Sequence, residues 1–84
     1  MKKVCEELRR VGKTSPELLK QRLEAVDLTD LEFSIMKLRY IDGLLFKQIK
    51  VGVGERQLYK VHKKAIEKTV AKLKLADWLG FFVQ

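Results

Sequence analysis

Glu55, Arg56, Gln57 and Lys60 gather, within two helical turns, side-chain types that pair with the exposed edges of bases. Arg can pair two-pronged with guanine, Gln can do so with adenine, and Glu accepts from the cytosine amine. Lys63 and Lys64 come next on the same stretch, and Lys47 and Lys50 precede it, as point charges suited to phosphates. The charge is concentrated to match. Residues 50–74 hold eight Lys/Arg against two acids, a net +6. Residues 1–49 hold ten against eight, a net +2, and residues 75–84 carry Asp77 alone, giving +7 overall. A sequence pI near 9.7 points the same way, to an anionic partner such as nucleic acid. The rival reading of a Lys-rich face is plain solvation. What tips the balance is the segment ahead of it, a capped helix, a turn and a short helix, the order of a helix-turn-helix whose last helix enters the major groove.

Little else in the chain offers chemistry. His62 is the only histidine, with no Cys, Asp or Glu at metal-ligand spacing, so packing at the edge of the buried face is expected of it. Cys5 is alone and reads as a small hydrophobe, which excludes an intramolecular disulfide and suits a reducing cytoplasm. Gly52-Val53-Gly54 is too short for a phosphate-cradling loop, and one histidine supplies no Ser/His/Asp triad. The expectation is a protein that is not an enzyme and holds neither metal nor cofactor. Eighty-four residues make one domain with a single small core, and an apolar content of 46% with one proline fits a helical globule better than a disordered tail. Apolar runs such as Leu44 to Phe46 are too short to span a membrane, and MKKVCEELRR has charges where a signal peptide would be apolar.

Helices must position these side chains. Lys3 to Arg10 is expected to form two turns broken by Gly12. Thr14 and Glu17 make a capping-box pattern with Pro16 in the first turn, predicting a helix over 15–26 with Leu18, Leu19, Leu23 and Val26 on its apolar stripe. A second capping box stands at Thr29-Asp30-Leu31-Glu32, with Leu28 and Phe33 spaced as a hydrophobic staple. Leu31, Ile35, Leu38 and Ile41 or Tyr40 form its buried face, flanked by Phe33 and Met36, and Asp42-Gly43 ends it. Residues 44–51 are short and weakly patterned, with Leu45, Phe46 and Ile49 apolar. Val51-Gly52-Val53-Gly54 reads as a tight turn. From Glu55 to about Lys74 the period is helical again: Leu58, Val61 and Ala65 face inward, with Tyr59, Ile66, Val70 and Leu73 on an adjoining apolar stripe.

The stretch from Leu28 to Leu73 resembles the promoter-binding domain at the C-terminal end of bacterial sigma factors, most of all the small sigma-like regulators of phages and prophages of Gram-positive bacteria. Leu28-Thr29-Asp30-Leu31-Glu32, Leu38-Arg39-Tyr40 before Asp42-Gly43, and Tyr59-Lys60-Val61-His62-Lys63-Lys64-Ala65 carry the likeness. It implies a tri-helical module with Arg56, Gln57 and Lys60 at base-reading positions, and a surface that can touch RNA polymerase. The chain departs from the pattern in one place. Family members usually run Ile-x-x-Ile-Leu-Gly-x-Ser through the short helix and turn. Between Phe46-Lys47-Gln48-Ile49 and Gly52-Val53-Gly54-Glu55 this sequence is two residues short. Losing two residues rotates the downstream chain by about 200°, so a distorted short helix is expected. Leu45 also stands where a Ser or Thr cap is usual, and Gly54 where Ser is usual.

The reading is therefore an all-α, small helical bundle containing a helix-turn-helix (28–74), with an extra N-terminal helical segment (1–27) and an apolar C-terminal tail (75–84). The implied function is sequence-specific binding of double-stranded DNA by a small transcriptional regulator of a bacterial cytoplasm, phage-encoded by its resemblance. Two rivals stand beside it: the same fold reused as a protein-interaction module for RNA polymerase or another host or phage factor, and a phage DNA-packaging adaptor. The tail residues Trp78, Phe81 and Phe82 either fold back over the N-terminal helices or form a partner surface, a homodimer contact included.

Overall fold

The computed structural model describes residues 2–72, with side chains from Val4 onward. The described part is all helical, with no strand: α1 (Lys2–Thr14), α2 (Pro16–Glu24), α3 (Asp30–Met36) running on into a π turn (Lys37–Ile41), a single 3-10 turn (Phe46–Gln48), and α4 (Glu55–Lys72). No described helix is long and apolar enough to cross a membrane. The tail residues Trp78, Phe81 and Phe82 lie outside the described residues.

Gly12 does not break α1. The helix runs through it because Leu8, Val11 and, half-buried, Val4 and Cys5 keep one face packed on the core. Gly12 itself lies against the π turn, where any Cβ would overlap the Tyr40 carbonyl oxygen. The residue is a point of close backbone approach between two elements, which only a missing side chain allows. The expected capping box at Thr14 is also not made. The Thr14 hydroxyl donates instead to the Arg10 carbonyl at 3.1 Å, closing the end of α1. α2 begins one residue later, with Ser15 as N-cap without a side-chain bond and Pro16 in the first turn.

The capping box at α3 forms as expected. Glu32 N–H donates to Thr29 Oγ1 at 3.2 Å, and Thr29 N–H donates to Glu32 Oε1 at 2.8 Å. Past Met36 the helix widens. Asp42 N–H reaches back five residues to the Lys37 carbonyl, and Leu44 N–H reaches six residues to Leu38, with Gly43 at φ 76° between them. That closure is the familiar glycine cap stretched by one residue, as a π turn requires. Met36 and Tyr40, with Ile35, fill the interior here, while Leu31 and Leu38 are only half-buried.

Two apolar cores result. The larger joins α1, α2, the α3–π segment and the second half of α4 through Leu8, Val11, Leu19, Leu23, Val26, Met36, Tyr40, Ala65 and Ile66. The smaller has only Ile35, Ile49 and Leu58 fully inside, ringed by half-buried Leu31, Leu38, Leu44, Phe46, Val51, Val53 and Val61. It lies beneath the first half of α4.

Candidate nucleic-acid interface

The short helix ahead of α4 is one turn of three residues, succeeded by extended Ile49 and the glycine turn with Gly52 at φ 82°. The seven residues from Leu45 to Val51 hold this single turn. Its start is secured without a hydroxyl cap: Gln48 Oε1 accepts from Leu45 N–H and Gln48 N–H donates to the Leu45 carbonyl, both at 2.8 Å. Ile49 then plugs the smaller core.

α4 carries the candidate residues on its outer side. Glu55, Arg56, Gln57, Lys60, Lys63 and Lys64 are all exposed, and so are Lys47 on the 3-10 turn and Lys50 just after it. The opposite side is buried through Leu58, Ala65, Ile66 and Thr69. Thr69 is polar by type, but its place four residues after Ala65 puts it on the inward arc; its hydroxyl donates to the Ala65 carbonyl at 2.7 Å, so a polar side chain fits an apolar seat. Two flanks can be told apart. Gln57, Lys60 and Lys64 lean toward the start of α3 and line, with Thr29, Leu31, Glu32 and Val61, an open cavity of about 300 Å³. Arg56 and Lys63 share the other flank with Tyr59, three residues after the one and four before the other.

Tyr59 and Val70 are not on a buried stripe. They are 45% and 40% exposed, while Ile66 between them is fully buried. At 100° per residue both lie at the rim of the buried arc, where an apolar pattern alone cannot tell inside from edge.

Not every cation is available. Lys68 Nζ donates to Glu32 Oε1 at 2.8 Å, on the same oxygen that caps α3. Burial of Glu32 would raise its carboxyl. The hydrogen bonds from Lys68 and from the Thr29 N–H, with the Lys68 charge, outweigh burial and hold it below the usual carboxylate value. This pair ties the first turn of α3 to the second half of α4 across 36 residues of sequence, and no local signal announces it.

Behind the 3-10 turn stands an aromatic group that joins the two cores. His62 Nε2 is 2.6 Å from the Tyr40 hydroxyl; which atom donates depends on the histidine tautomer. Phe46 meets His62 edge-on at 4.8 Å and Tyr59 at 4.8 Å, and the Arg39 guanidinium lies 4.8 Å over the Phe46 ring. Arg39 Nη1 donates to the Leu44 carbonyl at 3.0 Å, while its Nε is buried without a hydrogen-bond partner. Burial, and then the neighbouring Arg39 charge, push the His62 imidazole down to about 4, so it is neutral at pH 7. Burial and a hydrogen bond with Cys5 push the Tyr40 phenol up. His62 thus packs at the boundary, as its helical angle implies. Among the described residues no group of three His, Cys, Asp or Glu stands together as a metal site.

No family model, curated protein or solved structure matches this chain.

Proposed function

We propose that the chain is a small sigma-like transcriptional regulator that binds double-stranded DNA in a sequence-specific way through α4. The observation that carries this reading is the division of labour around α4. Arg56, Gln57, Lys60, Lys63 and Lys64 are all exposed on a helix whose other side is anchored by Leu58, Ala65, Ile66 and Thr69. Lys68, farther along the same helix, is already paired with Glu32. In this reading Arg56, Gln57 and Lys60, with Glu55, face base edges, and Lys47, Lys50, Lys63 and Lys64 face phosphates. RNA polymerase contact and phage origin belong to the same proposal through the family resemblance, a homodimer through the apolar residues Trp78, Phe81 and Phe82, and a bacterial cytoplasm through the lone Cys5.

The test is selection of bound duplexes from a random-sequence pool. A defined motif is the expected outcome, and failure to enrich any motif contradicts sequence-specific binding. One observation favours a second reading, in which the fold serves as a protein-binding module. The short helix is a single turn, and Leu45 at its start is 49% exposed. That reading requires a stoichiometric protein partner and no duplex retained at low salt.

A further inference from the structure

Tyr59 and Val70 are the large apolar side chains exposed on α4 among the described residues, and Tyr59 is the one in its first half, between Arg56 and Lys63. Its ring is not free. One side rests on Phe46 at 4.8 Å, and Phe46 is itself held by His62 edge-on and by Arg39 over its face. The ring is therefore fixed along one edge while nearly half its surface stays in solvent. Arg56 and Lys63, at three residues before and four after, bracket it on the same flank. A half-exposed ring held rigid between two cations costs little side-chain entropy on binding. It also presents an apolar surface where only polar contacts would be expected. The major groove offers one apolar group to match it, the 5-methyl of thymine.

Resting on the duplex-binding reading above, we propose that Tyr59 is a specificity-determining residue that packs its ring on a thymine methyl beside the base pair met by Arg56. Arg56 then supplies the polar half of the readout, and Lys63 holds the adjacent phosphate.

The experiment uses the full chain and the duplex selected from the random pool, synthesised once with thymidine and once with deoxyuridine. The second version keeps every hydrogen-bonding group and loses only the methyl. The wild type is expected to bind the uracil duplex about four-fold more weakly, the loss that goes with one buried methyl. Tyr59→Phe keeps the ring and is expected to keep that difference. Tyr59→Ala is expected to bind both duplexes alike, with an unchanged helical circular dichroism spectrum because the side chain is half in solvent. Equal binding of the two duplexes by the wild type overturns the thymine contact and leaves DNA binding standing. So does a Tyr59→Phe variant as weak as Tyr59→Ala with no uracil effect, which places the hydroxyl on a phosphate instead. Retention of no duplex of any sequence overturns both readings together.

Discussion

The two ends of α4 rest on different foundations. Its second half is built into the larger core, where Ala65, Ile66 and Thr69 are fully buried beside Leu8, Leu19, Leu23 and Met36. Its first half, which carries Arg56, Gln57 and Lys60, rests on the smaller core, where Leu58 has only Ile35 and Ile49 as fully enclosed partners. The lesson is that one helix can be deeply packed at one end and lightly packed at the other. The lightly packed end carries the candidate residues, and regions of low local packing are where binding segments are usually found.

The most severe way to break the anchored half is Gly12→Ala. The added methyl would overlap the Tyr40 carbonyl oxygen, and backbone cannot rotate away as a side chain can. The expected cost in urea unfolding is about 3 kcal/mol or more, the upper end of overpacking. A cost within about 0.5 kcal/mol, the range of a neutral surface change, would show that α1 and the π turn do not meet this closely.

His62 sharpens the comparison, because it touches Tyr40 in the larger core and Phe46 beside the smaller one. Its imidazole is neutral in the folded chain down to about pH 4, whereas in the unfolded chain it takes up a proton near 6.5. The unfolded state binds more protons between those values, so stability falls as pH drops from about 6.5 to about 4. Because the imidazole is partly exposed and solvent screens part of the effect, the total loss is below about 3 kcal/mol. Glu32 acts separately and lower: its carboxyl is depressed when folded, so its contribution is present above about 4.5 and lost as pH falls through the folded value. Chemical denaturation across this range should therefore show a slope between pH 6.5 and 4 that His62→Gln removes, while the loss below it persists. A slope unchanged in His62→Gln would contradict the buried neutral imidazole.

The smaller stability effect is expected at Leu58→Ala. The half-buried Val51, Val53 and Val61 around it can close part of the gap, so about 2 kcal/mol is expected, the low end for Leu→Ala. The duplex affinity of this variant should drop even at temperatures where circular dichroism shows it folded, since Leu58 seats the turn that carries Arg56 and Gln57. Full affinity in the folded variant would break the link between this core and the candidate face.

What was legible in the sequence was local. The Thr29–Glu32 capping box, the Gly43 stop and the glycine turn at Gly52 depend on residues within a few positions of one another, and each is present. The weak apolar patterning of residues 44–51 likewise points to a short second helix, and one 3-10 turn is what forms. Contacts between distant segments were hidden. Gly12 looks like a breaker until the Tyr40 backbone is set against it, although the Val4, Leu8, Val11 spacing, which runs up to Gly12, was a usable sign of one continuous helix. Lys68 adds to the net +6 of residues 50–74 like any other lysine there until Glu32, in another helix, takes it up. Tyr59 fell on an apolar stripe, and only the position of Phe46 shows that the stripe's edge faces outward.

The central claim is that the exposed cations of α4 bind duplex DNA. Its most direct measurement is fluorescence anisotropy of a labelled duplex across a salt series, with the wild type and an Arg56/Lys60/Lys63/Lys64→Ala variant side by side. Removing one cation from its phosphate should lower the slope of log affinity against log salt by about 0.9. The wild type is expected to show a steep slope, and the variant a shallow one with affinity reduced at every salt concentration. Equal affinity and equal slope for the two proteins would contradict the account.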